Sequence, residues 1–401
     1  MENNITKKIV ISGVGCCLMD RIYAHADFSS PSFKRYLSLR QGDGGLSIGG
    51  LTFEEDLEIF AGQSFGNILP VLSGGKDPDN ENIGGPAIVA LIHAAQIASD
   101  CCSVRFYGCR ADDLVGEHLE RLLRNTPVDL THYSIQSDSE TPSTTVLSDP
   151  DADNGHGERL FVNTIGAAWD YIPSIVDPSF YESDICVFGG TALVPRIHEG
   201  LENMLFTARR NGCITVANTV YDFLSEKKNP GLRWPLGSSD ATYSLVDLLI
   251  ADREEALKLS GKDSIDEALD FFRQKGVGAV IITAGADDVH LCACSDRFLH
   301  VEPETMPVSK ALGKAWKDPS RRGDSTGCGD NFAGGIIASI AEQLASGRNT
   351  LDLKAACQLG IVSGGFAGLY YGGTWLESEP GEKRRLLQPY YEEYLKQISI
   401  A

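Results

Sequence analysis

No C-x-x-C pair occurs among the eleven cysteines, and their odd number in a 401-residue chain argues against a disulfide scaffold. No apolar run approaches the ~20 residues that a membrane-spanning helix needs, and the polar Met1 end shows no leader-like apolar region. A reduced cytoplasm is the expected location. Positive charge is scarce: 35 Lys and Arg stand against 55 Asp and Glu, a formal net charge of −20. That balance argues against nucleic acid or an acidic membrane surface as main partner, while local fields still admit a small anion such as ATP. No G-x-x-x-x-G-K-[ST] is present, which excludes a P-loop ATPase. "GVGCCL" begins like a dinucleotide loop, but Leu18 stands where the third glycine belongs, so a nicotinamide oxidoreductase is poorly supported. Cys292, Cys294 and His300 could be drawn as a metal set. "VHLCACSD" alternates like a strand, however, and a core strand accounts for the cysteines better.

What is present is a large apolar fraction, 42%, enough for an extensive core. "KKIVISGVG" reads as a strand entering a Gly turn, and "GGPAIVALIHAAQIASD" as a Gly turn opening a helix. "VRFYGCRADDLVGEHLERLLRN" reads as strand, acidic turn and helix, with Asp112 and Asp113 as turn and capping residues. From residue 184 strands alternate with helices, and helices at 329–345, 352–370 and 382–397 fill the end. This rhythm predicts an α/β fold with a mostly parallel central sheet flanked by helices on both faces. Residues 27–83 read as an excursion with a short helix at "TFEEDLEIF". Hairpin-like segments near 131–165, around the turn "DPDADNGHG", suit a small β lid.

One stretch carries chemistry. "RRGDSTGCGDNFAGGIIASIAEQL" places Asp324 and Asp330 around a glycine-broken turn and then starts an apolar helix. Gly327 and Gly329 allow successive N–H groups to point into one concavity, and the helix start adds its positive end. That suits phosphate, yet Asp330 would repel one. Asp330 reads either as a helix N-cap or as a base beside a phosphate.

"GDSTGCGDNFAGG" resembles the D-T-x-G-A-G-D-x-F-x-x-G signature of the ribokinase-like (PfkB) carbohydrate kinases, with Cys328 in place of the usual Ala. "GGPAIVA" at 84–90 is similar to the family's N-terminal G-G-x-x-x-N-x-A, and "GCRADDLVG" at 108–116 to its G-x-x-G-D-D-x-x-G. "GERLFV" at 157–162 resembles its lid strand, and "IADREEALKLSG" at 250–261 its N-x-x-E segment. The pieces occur in family order over nearly the whole chain. The resemblance implies one ribokinase-like kinase domain over 1–401, with a small β lid from segments near 17–30 and 131–168.

It also implies roles. Asp330 would be the general base, and the amides of Gly327, Cys328 and Gly329 an anion hole for the transferred phosphoryl. Asp20 would orient substrate hydroxyls, with Gly84 and Gly85 letting a sugar approach the backbone; a turn carboxylate and an ordinary helix start are the plainer alternatives. Arg159 on the lid is either a substrate contact or a strand-surface charge. Asp324 and Thr326 would lie on the nucleotide side. Asp252 and Glu255 would arrange Mg²⁺ and its waters near the phosphates, with Glu255 as the metal contact; an acidic helix start is the alternative. The expected cofactors are ATP and Mg²⁺, with a monovalent cation left open, as is a homodimer paired through the lid.

Four departures bear on substrate and efficiency: Val89 for Asn, Asp252 for Asn, Asp288 for Gly, and Asn218 near where many sugar kinases carry Asp. An insertion at 308–322 carries Lys310, Lys314, Lys317, Arg321 and Arg322 against one Asp318; it reads as a solvated loop or as a strap over phosphates. The leading function is an ATP-dependent kinase acting on a hydroxyl of a small sugar or related polyol. A nucleoside kinase is the alternative, since the aromatic-containing stretch "FKRYLSLRQGDGGLSIGGLTFEEDLEIF" resembles the extra N-terminal part of adenosine-kinase-like members. A non-catalytic ligand-binding relative is the third reading, motivated by Val89 and Asp252.

Overall fold

The computed structural model describes residues 8–40, 42–152, 158–318, 320 and 323–399. Its strands are β1 (Ile9–Gly15), β2 (Leu18–Tyr23), β3 (Leu51–Phe53), β4 (Asn80–Gly84), β5 (Cys102–Ala111), β6 (Tyr133–Gln136), β7 (Ser143–Asp149) and β8 (Glu158–Thr164). There follow β9 (Ile185–Gly189), β10 (Ile214–Asn218), β11 (Leu248–Asp252), β12 (Ala279–Thr283), β13 (Val289–Ala293) and β14 (Val301–Met306). Nine of them form one sheet in the order β14-β13-β12-β11-β10-β9-β1-β5-β6. From β12 to β6 every neighbouring pair is parallel; only β13 and β14 run antiparallel at one edge.

The strands read as continuous apolar runs because both faces are buried. In β12, Ala279 and Ile281 enter one core, while Val280 and Ile282 enter the other. The first core is closed by the helices Pro86–Ile97, Cys328–Ala345 and Leu353–Ala367. Ala, Gly and Ser spaced along these helices let them approach closely. A Cβ on Gly334 would lie 2.5 Å from the Ala90 carbonyl oxygen, and one on Gly335 2.4 Å from Ser363 Oγ. The helix expected around 198–210 is two, Pro195–Glu199 and Leu201–Arg210, divided at Gly200.

The second sheet has five strands in the order β3-β8-β7-β2-β4. The expected lid segments divide on inspection. Residues near 17–30 supply β2, whereas 131–168 splits: β7 and β8 form the lid hairpin, but β6 pairs in parallel with β5 on the main sheet. Alternation alone could not separate the two sheets, since an edge strand of a parallel sheet also has one exposed face. The turn "DPDADNGHG" falls partly on residues 153–157, outside the described residues. β3 and β4, both from the excursion, complete the lid.

The excursion also covers the lid's outer face. Phe28, Phe33, Tyr36, Leu57, Phe65, Ile68 and Leu72 pack on Tyr23, Leu147, Leu160 and Val162 of the lid strands. The helix at "TFEEDLEIF" begins only at Glu54, after β3, and is followed by a second helix, Phe65–Leu72. Among the described residues, no helix is long and apolar enough to cross a membrane.

Candidate active site

β1 and β2 carry the chain from the main sheet into the lid, and the glycine loop lies in the cleft between them. The loop ends in the helix Cys328–Ala345, whose N-cap is Gly327 at φ +73°. That left-handed turn needs glycine twice over: a Cβ there would also sit 2.5 Å from Gly373 Cα. Asp330 is therefore the third residue of the helix, and the N-cap reading is excluded. The first intrahelical bond runs from Asn331 N–H to the Gly327 carbonyl, at 2.8 Å. The amides of Gly329 and Asp330 precede it and have no intrahelical acceptor. The Cys328 amide is less free, donating to the Ser325 carbonyl over 3.3 Å. Nothing lies within 4 Å of a Cβ built on Gly329, so the concavity is open there.

Asp330 sits at the floor of this cleft, deep within the protein yet partly open to solvent. Burial pushes its carboxyl up to about 6. The neighbouring Cys328 thiol is pushed up to about 12 by burial and by the charges of Asp324 and Asp330. Asp324 is a loop brace: its Oδ1 accepts the Thr326 N–H at 2.8 Å, and its Oδ2 the Gly372 N–H at 3.4 Å.

Asp20 faces the same cleft from the lid. In register with it across four strands lie Asn82, Thr144 and Asn163, which puts four polar side chains on one face. All four are buried. Asn163 Nδ2 donates to Thr144 Oγ1 at 3.0 Å, and Asn82 Nδ2 reaches the carbonyls of Tyr371 and Thr374 at 3.2 and 3.3 Å. Burial, then the charges of Asp330 and Asp324, push Asp20 up to about 8. A Cβ on Gly84 would fall 2.2 Å from Asp20 Oδ2, so the glycine makes room for the carboxylate. Gly85, at φ +108° and with the Cys16 carbonyl 2.5 Å from a built Cβ, is required by packing alone.

Arg159, on β8, joins lid to loop. Its Nη1 lies 3.3 Å from Thr326 Oγ1 and 4.0 Å from Asp324 Oδ2. The side chain is thus more than a strand-surface charge.

Asp252 and Glu255 form a capping box at the start of the helix Arg253–Ser260. This explains how Asp replaces Asn at 252, for both cap well. Glu255 Oε2 also accepts the Thr219 hydroxyl at 2.5 Å. Burial, followed by the Asp252 charge, pushes Glu255 up to about 8, a carboxylate whose surroundings favour an added positive charge. Among the described residues no cluster of three His, Cys, Asp or Glu could cage a metal. A divalent ion here would therefore take most of its ligands from phosphate and water, as Mg²⁺ commonly does. The Cys292, Cys294 and His300 set is dispersed: Cys292 is core, Cys294 is exposed, and His300 pairs with Glu302.

An apolar slot of about 190 Å³ opens beside the loop, lined by Val289, Val308, Leu312, Trp316, Phe332 and Ile361 among others, and it reaches Cys328 and Gly329. The basic insertion forms one wall. Ser309 caps a helix Lys310–Ala315, Leu312 enters the core, and Trp316 Nε1 donates to the Gly365 carbonyl at 2.7 Å. Lys310, Lys314 and Lys317 point outward, and Arg321 and Arg322 lie outside the described residues. The insertion's described part is a wall of the slot, with Lys310, Lys314 and Lys317 on the solvent side.

Among the departures, Val89 packs beneath Gly373, 3.2 Å from a Cβ built there, and Asp288 is an exposed turn residue. Asp113 caps its helix as expected, accepting from Gly116 N–H. Sequence reasoning missed Asn82, Thr144, Asn163, Trp316, Asn331 and Lys383. The alternation "STTVLSD" carried a signal for Thr144, and "GDNF" placed Asn331 beside the acid; the others needed the tertiary fold.

Residues 79–375 match the family model for pfkB family carbohydrate kinases. The aminoimidazole riboside kinase of Salmonella typhimurium is 23% identical over 270 residues, 64% of this chain and 73% of its own length. Among solved structures, adenosine kinase from Schistosoma mansoni in complex with 2-fluoroadenosine aligns with a TM-score of 0.68 at 18% identity, covering 91% of this chain and 96% of its own. A putative ribokinase II from E. coli in complex with ATP and Mg²⁺ aligns with a TM-score of 0.62 at 16% identity, covering 98% and 99%. With a glycine loop, an acid at the third helical position and a family match over most of its length, this chain belongs to the PfkB family of carbohydrate kinases.

Proposed function

We propose that the chain transfers the γ-phosphoryl group of ATP to a hydroxyl of a small sugar or related polyol. The observation that carries this reading is Asp330, a carboxylate raised to about 6 and set on the same helical turn as two amides without intrahelical acceptors. Base and anion site are then one rigid unit.

Asp20, with Asn82, Thr144 and Asn163 beside it, supplies hydroxyl-binding groups on one lid face, suited to a polyol. Asp330 takes the proton of the attacking hydroxyl as the bond to phosphorus forms. The amides of the first helical turn stabilise the charge spreading over the phosphoryl oxygens, with the helix dipole behind them. The apolar slot behind Cys328 and Gly329 accepts the purine. Mg²⁺, when bound, neutralises phosphate charge, and Glu255 is the residue that would hold it through water. Arg159 ties the closed lid to the loop and keeps water out of the cleft.

A nucleoside is the second acceptor. A groove of about 650 Å³ runs between the lid and the helix Phe223–Lys228, lined in part by Phe53, Phe161, Tyr221 and Phe223. Phe53 and Phe223 meet edge to face at 6.3 Å, leaving aromatic surface for a base attached to the sugar.

The test is ADP release with Mg-ATP and a panel of sugars, polyols and nucleosides, with and without a monovalent cation, beside Asp330→Asn. One acceptor class that raises turnover, abolished in the variant, supports the reading and chooses between its two forms. A panel with no turnover, but with a ligand that raises Tm, replaces it with a binding protein.

A further inference from the structure

We propose that Lys383, buried behind the glycine loop, is a positioning residue for phosphoryl transfer: its ammonium acts through Asn331 to fix Gly327 and Gly373 and places a positive charge behind the first turn of the Cys328–Ala345 helix. The proposal rests on the kinase reading above.

Lys383 is the second residue of the helix Glu382–Ser399 and is 1% exposed. Lysine is almost never fully buried unless paired, because removing the ammonium from water is costly. Here the acceptor that meets it is an amide. Lys383 Nζ donates to Asn331 Oδ1 at 2.9 Å and stands 5.3 Å from the centre of the Tyr370 ring. Tyr370 donates its hydroxyl to the same Oδ1 at 3.1 Å.

Asn331 is itself 0% exposed, and its other end points at the loop. Its Nδ2 donates to the Gly327 carbonyl at 2.8 Å and to the Gly373 carbonyl at 2.9 Å. All four hydrogen-bonding positions of the amide are thereby filled. A cation on the oxygen draws charge through the amide and strengthens both N–H donors. The two glycines so held are the pair whose backbones touch at the left-handed turn, where a Cβ on Gly327 would meet Gly373. Lys383 therefore governs the turn that presents the Gly329 and Asp330 amides.

Packing does not explain the choice of residue. A methionine of similar length would fill the space without a buried charge, and such replacements are often neutral or stabilising. The groups facing the ammonium come from four directions. His93, from the helix Pro86–Ile97, is held neutral, its pKa pushed well down by burial and by Lys383. Glu377 Oε1 accepts the Lys383 backbone N–H at 2.8 Å, and its charge favours the ammonium form. Tyr370 is kept protonated by burial. Asn331 completes the set. Burial outweighs Glu377 and pushes Lys383 down to about 7, so the charge behind the loop is present in acid and withdrawn in alkali.

The experiment compares wild type, Lys383→Met and Lys383→Arg, in kcat and KM at saturating Mg-ATP from about pH 5.5 to about 9.5. Wild-type kcat is expected to fall on the alkaline side of about pH 7 to 8. Lys383→Met is expected to fold with equal or higher Tm, to lose about 10-fold in kcat at neutral pH with KM nearly unchanged, and to lose the alkaline limb. Lys383→Arg is expected to recover kcat and to keep it at high pH. A Lys383→Met enzyme with wild-type kcat and pH profile overturns the proposal. So does a loss expressed only in KM. A flat wild-type kcat up to about pH 9.5 also refutes it. Should Lys383→Met fail to fold, Lys383→Gln, which keeps a donor toward Asn331 Oδ1 without the charge, takes its place, and it must lose kcat and the alkaline limb in the same way. Absence of turnover in wild type itself would sink the kinase reading and is recognised before any Lys383 variant is made.

Discussion

Asp20 on β2 and Asp330 on the Cys328–Ala345 helix come from different layers of the molecule and face one cleft, where the charge of Asp330 adds to burial in raising Asp20 to about 8. The folded pKa lies above the unfolded one. Between about pH 4 and pH 8 the folded chain holds a proton that the unfolded chain releases, so this contribution to stability is lost as pH rises through that range. Asp20→Asn is therefore expected to stabilise the protein at about pH 8, on the order of 1–3 kcal/mol, while removing most activity. Thermal unfolding at two pH values checks it: the gain should shrink toward about pH 4.

Burial raises the Asp330 carboxyl to about 6, and in the proposed role of base it would have to lose its proton to act. The acid limb of kcat/KM is expected at about that pH, with activity rising as pH rises through it. Asp330→Asn should reduce kcat by about 10²–10⁴-fold without a large change in Tm. A variant that retains more than a tenth of wild-type kcat would remove Asp330 from the role of base.

Arg159 spans the lid and the loop through Thr326 and Asp324. The contact is half-exposed and longer than a good ion pair, so it contributes little to stability, about 0–1 kcal/mol. Its expected effect is on lid closure. Arg159→Ala should leave Tm nearly unchanged and raise ADP release without acceptor relative to productive transfer, because water reaches the cleft. Measuring both rates separates a closure defect from a folding defect.

Trp316 borders the apolar slot, is 38% exposed, and is fixed by its bond to the Gly365 carbonyl. Adenine nucleotide should quench its fluorescence, and Trp316→Ala should weaken nucleotide binding by about 10-fold with the acceptor KM nearly unchanged. An unaltered nucleotide affinity would place the purine elsewhere.

The Cys328 thiol, raised to about 12, is a poor nucleophile despite its place beside the loop. Iodoacetamide at neutral pH should label the exposed Cys294 well before Cys328, which peptide mapping reads directly.

Much of this was legible in the chain itself. Glycines at 327 and 329 with acids at 324 and 330 mark a glycine-broken turn that opens a helix, readable from local backbone chemistry, and continuous apolar strands such as Ala279–Thr283 imply a sheet covered on both faces. Local patterns failed where two environments look alike along the chain. Residues 133–136 and 143–149 are both short and half-alternating, yet the first extends the main sheet and the second builds the lid. Asp330 could not be told from an N-cap until the helix start was fixed at Cys328.

What the sequence alone determined is thus the fold class and the loop that carries the acid, because both are written in local patterns: apolar strands alternating with helices, and glycines set at a helix start. What only the tertiary structure decided is the company that loop keeps: Asp20 with its polar row, Arg159 across the cleft, Trp316 on the slot, and Lys383 behind Asn331. Those pairs lie tens to hundreds of residues apart, and their charges acquire altered proton affinities only when the folded chain excludes water from around them.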